Sequence, residues 1–255
     1  DNLMQTITDE FNPYANYTQS DLYFYLKNQF VPKRKSGVKY DYSNLGMGLL
    51  GNILAQKENT TYEELVKKII FKKIGMKNSA VNLTEEQKKN LAQGYNEDGK
   101  AVPIWDFPTL AGAGAIKSNI KDMLQFLKAN IGVLPNNPLQ KVMDSCQIVT
   151  ISTVNLELEI GMGWHISPLG KNNEVITWHN GATGGYGSYI GFVKSEKAGV
   201  VILTNSENGI DEIGEDILDL IIAHNPKLEE KEQPDIIKYY QKRAKQATDT
   251  TQHTK

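Results

Sequence analysis

The sequence predicts a mixed α/β fold of the α+β type, with a mostly helical lobe followed by an antiparallel sheet flanked by helices. Three observations carry this. Apolar residues recur at helix spacing through most of the first 145 residues, and beyond that point the pattern changes to short β-rich runs broken by Gly, Asn and Lys turns. A last amphipathic stretch, Ile210 to Ala223, has the pattern of a helix covering one sheet face. The expected organisation is one partial domain over residues 1–225, divided into a helical lobe with loops (1–145) and a sheet with its covering helix (146–225). A charged, partly disordered extension over 226–255 follows.

The first predicted helix runs from Thr18 to Phe30, with Leu22, Tyr25, Leu26 and Phe30 at helix spacing behind Thr18 or Ser20 as cap. A basic turn, Pro32 to Gly37, then delivers Tyr40 and Tyr42 to the lip of a second helix beginning near Asn44 and continuing through Leu49, Leu50, Ile53 and Leu54. Its glycines Gly46, Gly48 and Gly51 let another backbone pack closely, offsetting their propensity cost. Thr60 to Glu64 opens a third helix with an acidic first turn, apolar positions Leu65, Ile69 and Ile70, and Gly75 as its stop. Residues 80–117 form a long, turn-rich connection of the kind that wraps a site. Ser118 is the expected cap of the next helix, whose buried stripe is Ile120, Met123, Leu124 and Leu127. Strands are expected at Gly161–Ile166, Val175–Trp178, Gly187–Val193 and Val200–Thr204 as an antiparallel meander.

Composition removes several classes of function. A net charge of −2 with dispersed lysines gives no field to gather nucleic acid or anionic lipid. The single Cys146 cannot form an internal disulfide and has no partner spaced for zinc, so it is expected as a buried small hydrophobe. No apolar run is long enough for a transmembrane segment, and Asp1-Asn2-Leu3-Met4-Gln5 has no basic or apolar targeting region. Without an initiator Met, Asp1 reads as an internal position of a longer polypeptide.

Two motifs can carry chemistry. Tyr42-Ser43-Asn44 sits where a loop enters a helix, so both outer side chains can face a cleft; taken alone the string also fits a turn and cap. A phenol acts as a base near neutral pH only beside a cation, because its ordinary pKa is about 10. The second motif is Trp178-His179-Asn180-Gly181-Ala182, followed by a glycine-rich hairpin. Gly181 and the small Ala182 let a substrate backbone approach the strand edge, where the Ala182 N–H can serve as an oxyanion donor. His179 fits a general acid or base, an electrostatic stabiliser, or a buried, hydrogen-bonded histidine beside Trp178.

Together these motifs resemble the penicillin-recognising serine hydrolases: class C β-lactamases, D-Ala-D-Ala carboxypeptidases and their esterase relatives. That family combines Ser-x-x-Lys, Tyr-x-Asn and Lys-Thr-Gly or His-x-Gly. The resemblance runs from about Leu22 to Leu220 and includes the Leu49-Leu50-Gly51 helix, the Ile74-Gly75-Met76 turn and Thr183-Gly184-Gly185. It implies a β-lactamase/transpeptidase-like fold and an acyl-enzyme route on a D-amino-acid peptide, ester or β-lactam, with no cofactor or metal. It further implies Tyr42 as proton shuttle, Asn44 as substrate-amide contact, His179 in place of the third-motif cation, and Gly181 with Ala182 at the oxyanion edge. An exported, cell-envelope location is implied in the same way. His179-Asn180-Gly181 resembles the peptidase and esterase branch, and Gly114 stands where class C enzymes place a stacking aromatic.

The nucleophile is the missing part. Ser36-Gly37-Val38-Lys39 and Ser118-Asn119-Ile120-Lys121 are the Ser-x-x-Lys strings present. The first carries a glycine in a loop, and the second sits where the family has a helix cap. The expectation is therefore that the N-terminal strands and nucleophile helix lie outside this chain, leaving an unpaired sheet edge and a fragment inactive by itself. A degenerate member that binds peptide or peptidoglycan without turnover is the alternative.

Overall fold

The computed structural model describes Asp9 and residues 11–152, 158–169 and 174–224. The predicted extension over 226–255 and the N-terminal Asp1 to Gln5 lie outside the described residues.

Helix α1 (Gln19–Asn28) starts at Thr18 through a reciprocal cap: the Thr18 hydroxyl accepts the Asp21 N–H, and the Asp21 carboxylate accepts the Thr18 N–H. It buries Leu22 against Tyr17, Leu45 and Leu110. Helix α2 (Asn44–Lys57) is capped by Ser43, whose hydroxyl accepts the Gly46 N–H at 2.9 Å. Close backbone packing is realised at two of the three predicted glycines. A Cβ on Gly48 would lie 2.6 Å from Leu110 Cβ, and one on Gly51 would lie 3.0 Å from Gly112 Cα, whereas Gly46 is exposed and meets only Ser43 of its own cap. This contact seats α2 on the short 3-10 turn Ala111–Ala113.

The predicted third helix is α3 (Tyr62–Val66), a π-helical turn (Lys67–Phe71) and α4 (Lys72–Ile74), ended by Gly75 at φ +77°. The π turn rotates the face that follows it, so Val66, Phe71 and Ile74 are buried and Ile69, expected inside, is exposed. The long connection contains the short helix α5 (Glu85–Lys88) and a hairpin of β1 (Gly94–Tyr95) with β2 (Ala101–Val102). Helix α6 (Ile120–Asn130) is capped by Asn119, not by Ser118: the Asn119 side chain accepts the Asp122 N–H at 3.0 Å. Helix α7 (Gln140–Cys146) is an element beyond those expected.

The main sheet is an antiparallel meander in sequence order: β3 (Ile151–Ser152), β4 (Glu159–Ile160), β5 (His165–Leu169), β6 (Glu174–Thr183), β7 (Tyr186–Val193) and β8 (Ala198–Thr204). The strand expected from Gly161 begins only at His165, because Gly161 to Trp164 form a turn with Gly163 at φ +79°. Helix α8 (Asp211–Ala223) covers one face, packing Leu218 and Ile222 on Leu169, Ile176, Tyr189 and Val193. Helix α6 covers the other with Leu127 beside Trp164, Ile190 and Phe192. Cys146 packs at the margin of that second core and is half-buried, not enclosed as expected, because it ends α7. Among the described residues β8 has a neighbour on one side only.

Candidate active site

Strand β6 is longer than its partner β5. Pairing with β5 ends at Trp178, opposite His165, while pairing with β7 continues to Thr183. Residues His179 to Thr183 therefore have no strand on their outer side among the described residues, which makes this stretch the open edge that the glycine-rich motif predicted. The N-terminus of α2 faces it. Between them lies a cavity of about 690 Å³ lined by Tyr42 and Asn44 on one wall and His179, Gly181 and Ala182 on the other, with Ala111 to Ser118 completing it. The five predicted site residues thus share one cavity.

The rings of Tyr42 and His179 stand 6.2 Å apart with their planes at 41°. His179 is half-exposed. Its Nδ1 lies 2.5 Å from the carbonyl oxygen of Asn180, which can only accept, so Nδ1 carries a proton and Nε2 is the other ring nitrogen. Its neighbour His165, half-buried like it, meets Trp178 edge-on at 4.7 Å and stacks on His179 at 5.1 Å. The Asn180 amide donates to Asp211 at the start of α8, 2.5 Å away. At Gly181 a Cβ would come within 2.7 Å of Ser188 Oγ, so glycine is what fits there without moving Ser188. Gly114 has only Phe107 and Thr183 near its Cβ position, at 3.5 and 4.0 Å.

Asn44 is held from outside the motif. Its amide donates to Tyr14 Oη at 2.9 Å, and Tyr14 stacks on Phe107 at 4.6 Å and tilts against Trp105 at 5.7 Å. Sequence reasoning missed this aromatic group, because its members come from segments without a regular period. It also missed Lys117, a half-buried cation in the cavity wall that donates to the Val81 carbonyl at 3.0 Å. Burial pushes the Lys117 amine below its ordinary range, against the pull of Asp106 and Glu63.

Neither Ser-x-x-Lys string forms a catalytic turn. Ser36 lies in a loop where Gly37 takes φ +80°, and Lys39 is paired with Asp41, which also holds Arg34. Ser118 lines the cavity but precedes α6, and Lys121 is exposed. The Ser118 hydroxyl shares a 2.8 Å hydrogen bond with Ser79, and Ser79 donates to the buried Asp122 carboxylate at 2.8 Å. Ser118 is thus part of a structural network. Among the described residues no His, Cys, Asp and Glu group is arranged to hold a metal ion, and no helix is long and apolar enough to cross a membrane.

This architecture is that of the class C β-lactamase fold. A crystal structure of a class C β-lactamase in complex with cefoxitin superposes with a TM-score of 0.72 at 26% identity, covering 82% of this chain and 65% of that one. A D-alanine carboxypeptidase from Burkholderia cenocepacia shares the fold at a TM-score of 0.70 and 22% identity, covering 84% and 69%. In sequence, β-lactamases of Pseudomonas fluorescens and Escherichia coli (strain K12) are each 26% identical, over 72% and 74% of this chain and 58% and 57% of their own lengths. The Beta-lactamase family profile matches residues 10–223, and the chain belongs to that family. It spans somewhat more than half the length of those two relatives.

Proposed function

We propose that this chain is the substrate-facing part of a serine hydrolase that works through an acyl-enzyme on a D-amino-acid peptide, ester or β-lactam. The observation that carries the reading is the Tyr42–His179 pair across one cavity, 6.2 Å between rings, with Asn44 beside it and the open edge of β6 behind. In this scheme a serine attacks the substrate carbonyl, Tyr42 takes the serine proton and passes it to the leaving group, and water later releases the acyl group. Asn44 binds the substrate amide, the Ala182 N–H donates to the developing oxyanion, and His179 supplies the polar ring where the family has a cation.

The nucleophile belongs, on this reading, to polypeptide outside these residues. Two features support that. Neither Ser-x-x-Lys string here forms a helical turn. Large apolar side chains are left exposed on the elements around the cavity, with Met47 and Leu50 on α2, Ile120 and Leu124 on α6 and Leu203 on β8, as expected where a further apolar element packs. His179-Asn180-Gly181, and Gly114 in place of a stacking aromatic, favour a peptide or ester over a β-lactam. An exported, cell-envelope setting goes with that substrate class.

The test is the intact mass of this chain, and of the longest polypeptide its gene encodes, after incubation with a penicillin and with an activated serine-reactive ester. An acyl adduct on the long form alone supports the reading. An adduct on the 255-residue chain would overturn it and make Ser118 the serine to test. A long form that binds peptide but takes no adduct would be the non-catalytic binder.

A further inference from the structure

His165 opens β5 and has no role in the scheme above, yet it is wedged between His179, which has one, and Tyr40, two residues before Tyr42. Its ring stacks on His179 with centroids 5.1 Å apart and planes at 19°, and its Nε2 lies 3.2 Å from Tyr40 Oη. Among the described residues its buried Nδ1 has no hydrogen-bond partner. These contacts favour one neutral tautomer over the other. Were the Tyr40 hydroxyl the donor to a neutral ring, the proton would sit on Nδ1 as a buried N–H without an acceptor, the costlier kind of orphan. The remaining neutral arrangement has Nε2–H donating to Tyr40 Oη and leaves only a lone pair unsatisfied at Nδ1. A charged ring would again strand an N–H and would face His179; burial and that neighbour both hold His165 below the ordinary histidine range.

We infer that His165 is a positioning residue: bonded to Tyr40 and stacked on His179, it closes a ring of side chains, Tyr40–His165–His179–Tyr42, that sets how far the β6 histidine stands from the tyrosine of the cleft. Tyr40 is two residues from Tyr42, so the tie reaches the α2 lip directly. Among the described residues the titratable groups that meet His165 are Tyr40 from the loop and His179 from β6; β4 presents Ile160 opposite it. The inference rests on placing His179 in the site, but ring contacts and tautomers report it without turnover. A missing acyl adduct would therefore not touch it.

The experiment is histidine side-chain 1H–15N correlation on the labelled chain, with the four histidines assigned by single substitutions. His165 is expected to show the Nε2–H tautomer, and H179Q to raise its titration midpoint. In H165A the His179–Tyr42 contact in NOE spectra is lost, while H165F, which keeps the stacked ring, retains it. Y40F should shift the His165 nitrogens while leaving the His179–Tyr42 contact weaker but present. A Nδ1–H tautomer for His165, or an unchanged His179–Tyr42 contact in a folded H165A, would overturn the inference. If H165A does not fold, the tautomer in the unsubstituted chain and the H165F contact decide the matter, a Nδ1–H tautomer or a lost His179–Tyr42 contact overturning the inference.

Discussion

Replacing glycine by alanine inside a helix ordinarily stabilises it by about 1 kcal/mol; at Gly48 that gain is expected to be cancelled or reversed. The added Cβ would lie 2.6 Å from Leu110 Cβ, 2.7 Å from its Cδ2 and 3.0 Å from its Cα. Carbon contacts settle at about 3.5–4.0 Å, so α2 must retreat by roughly 1 Å, and Leu110, only 1% exposed, has nowhere to go. Overpacking of this kind costs about 1–3 kcal/mol. Set against the propensity gain, Gly48→Ala should be neutral to destabilising by about 2 kcal/mol. Gly46→Ala isolates the packing effect, because its Cβ meets only Ser43 at 3.4 Å and receives most of the gain. Gly51→Ala, with Gly112 Cα at 3.0 Å and the Tyr62 ring at 3.1 Å, should fall between them. Urea unfolding followed by circular dichroism reads the order directly. If Gly48→Ala were as stable as Gly46→Ala, α2 would not be seated on residues 110–114 as described, and the placement of Tyr42 and Asn44 would lose its support.

Asp122→Ala should destabilise the chain by about 3 kcal/mol, since the buried carboxylate accepts the Asn78 N–H at 2.7 Å and the Ser79 hydroxyl at 2.8 Å, and charge-assisted bonds contribute about 1.5–3 kcal/mol each; a loss below about 1 kcal/mol on urea unfolding would show the network to be dispensable. Burial opposes ionisation of Glu63, but hydrogen bonds from Lys67 and Asn82 outweigh it and hold the carboxyl below the usual range. The unfolded chain therefore binds the extra proton first, and this contribution to stability is complete above about pH 4.3 and is lost as pH falls through the folded value. Glu63→Gln should flatten the acid limb of a stability-against-pH curve below that point, and an unaltered limb would remove Glu63 from the account.

The residues that share the candidate cavity could be picked out in sequence because their motifs sit at element boundaries, where local chemistry is legible. Thr18, Ser43 and Thr61 each cap the helix they precede, and Gly75 and Gly185 take positive φ where the chain must turn. Other features depend on contacts that no local pattern encodes. The π turn at Lys67–Phe71 moves Ile69 outward without any Gly or Pro to announce it. Asn119 and Ser118 are both good caps by type; what separates them is Ser79, 39 residues away, which engages Ser118. His165 looked like one more residue of a strand, and its importance comes from Tyr40, 125 residues earlier in the chain.

These long-range contacts also explain how the cleft can hold its shape. Near Trp178, the Tyr40–His165 bond ties the α2 lip to the sheet. Near the β6–β7 hairpin, Tyr186 Oη donates to the Ala92 carbonyl at 2.6 Å, the Tyr95 N–H to the Asn205 carbonyl at 3.0 Å, and the Asn205 amide to the Gln93 carbonyl at 2.7 Å. Trp105 closes over the same turn, since a Cβ on Gly184 would come within 2.4 Å of its Nε1. The walls are therefore fastened at the two ends of the stretch from Trp178 to Thr183, a span of roughly 17 Å at about 3.3 Å per strand residue. His179, Gly181 and Ala182 lie between the fastenings. These fastenings hold Tyr42 opposite His179 through contacts internal to the chain.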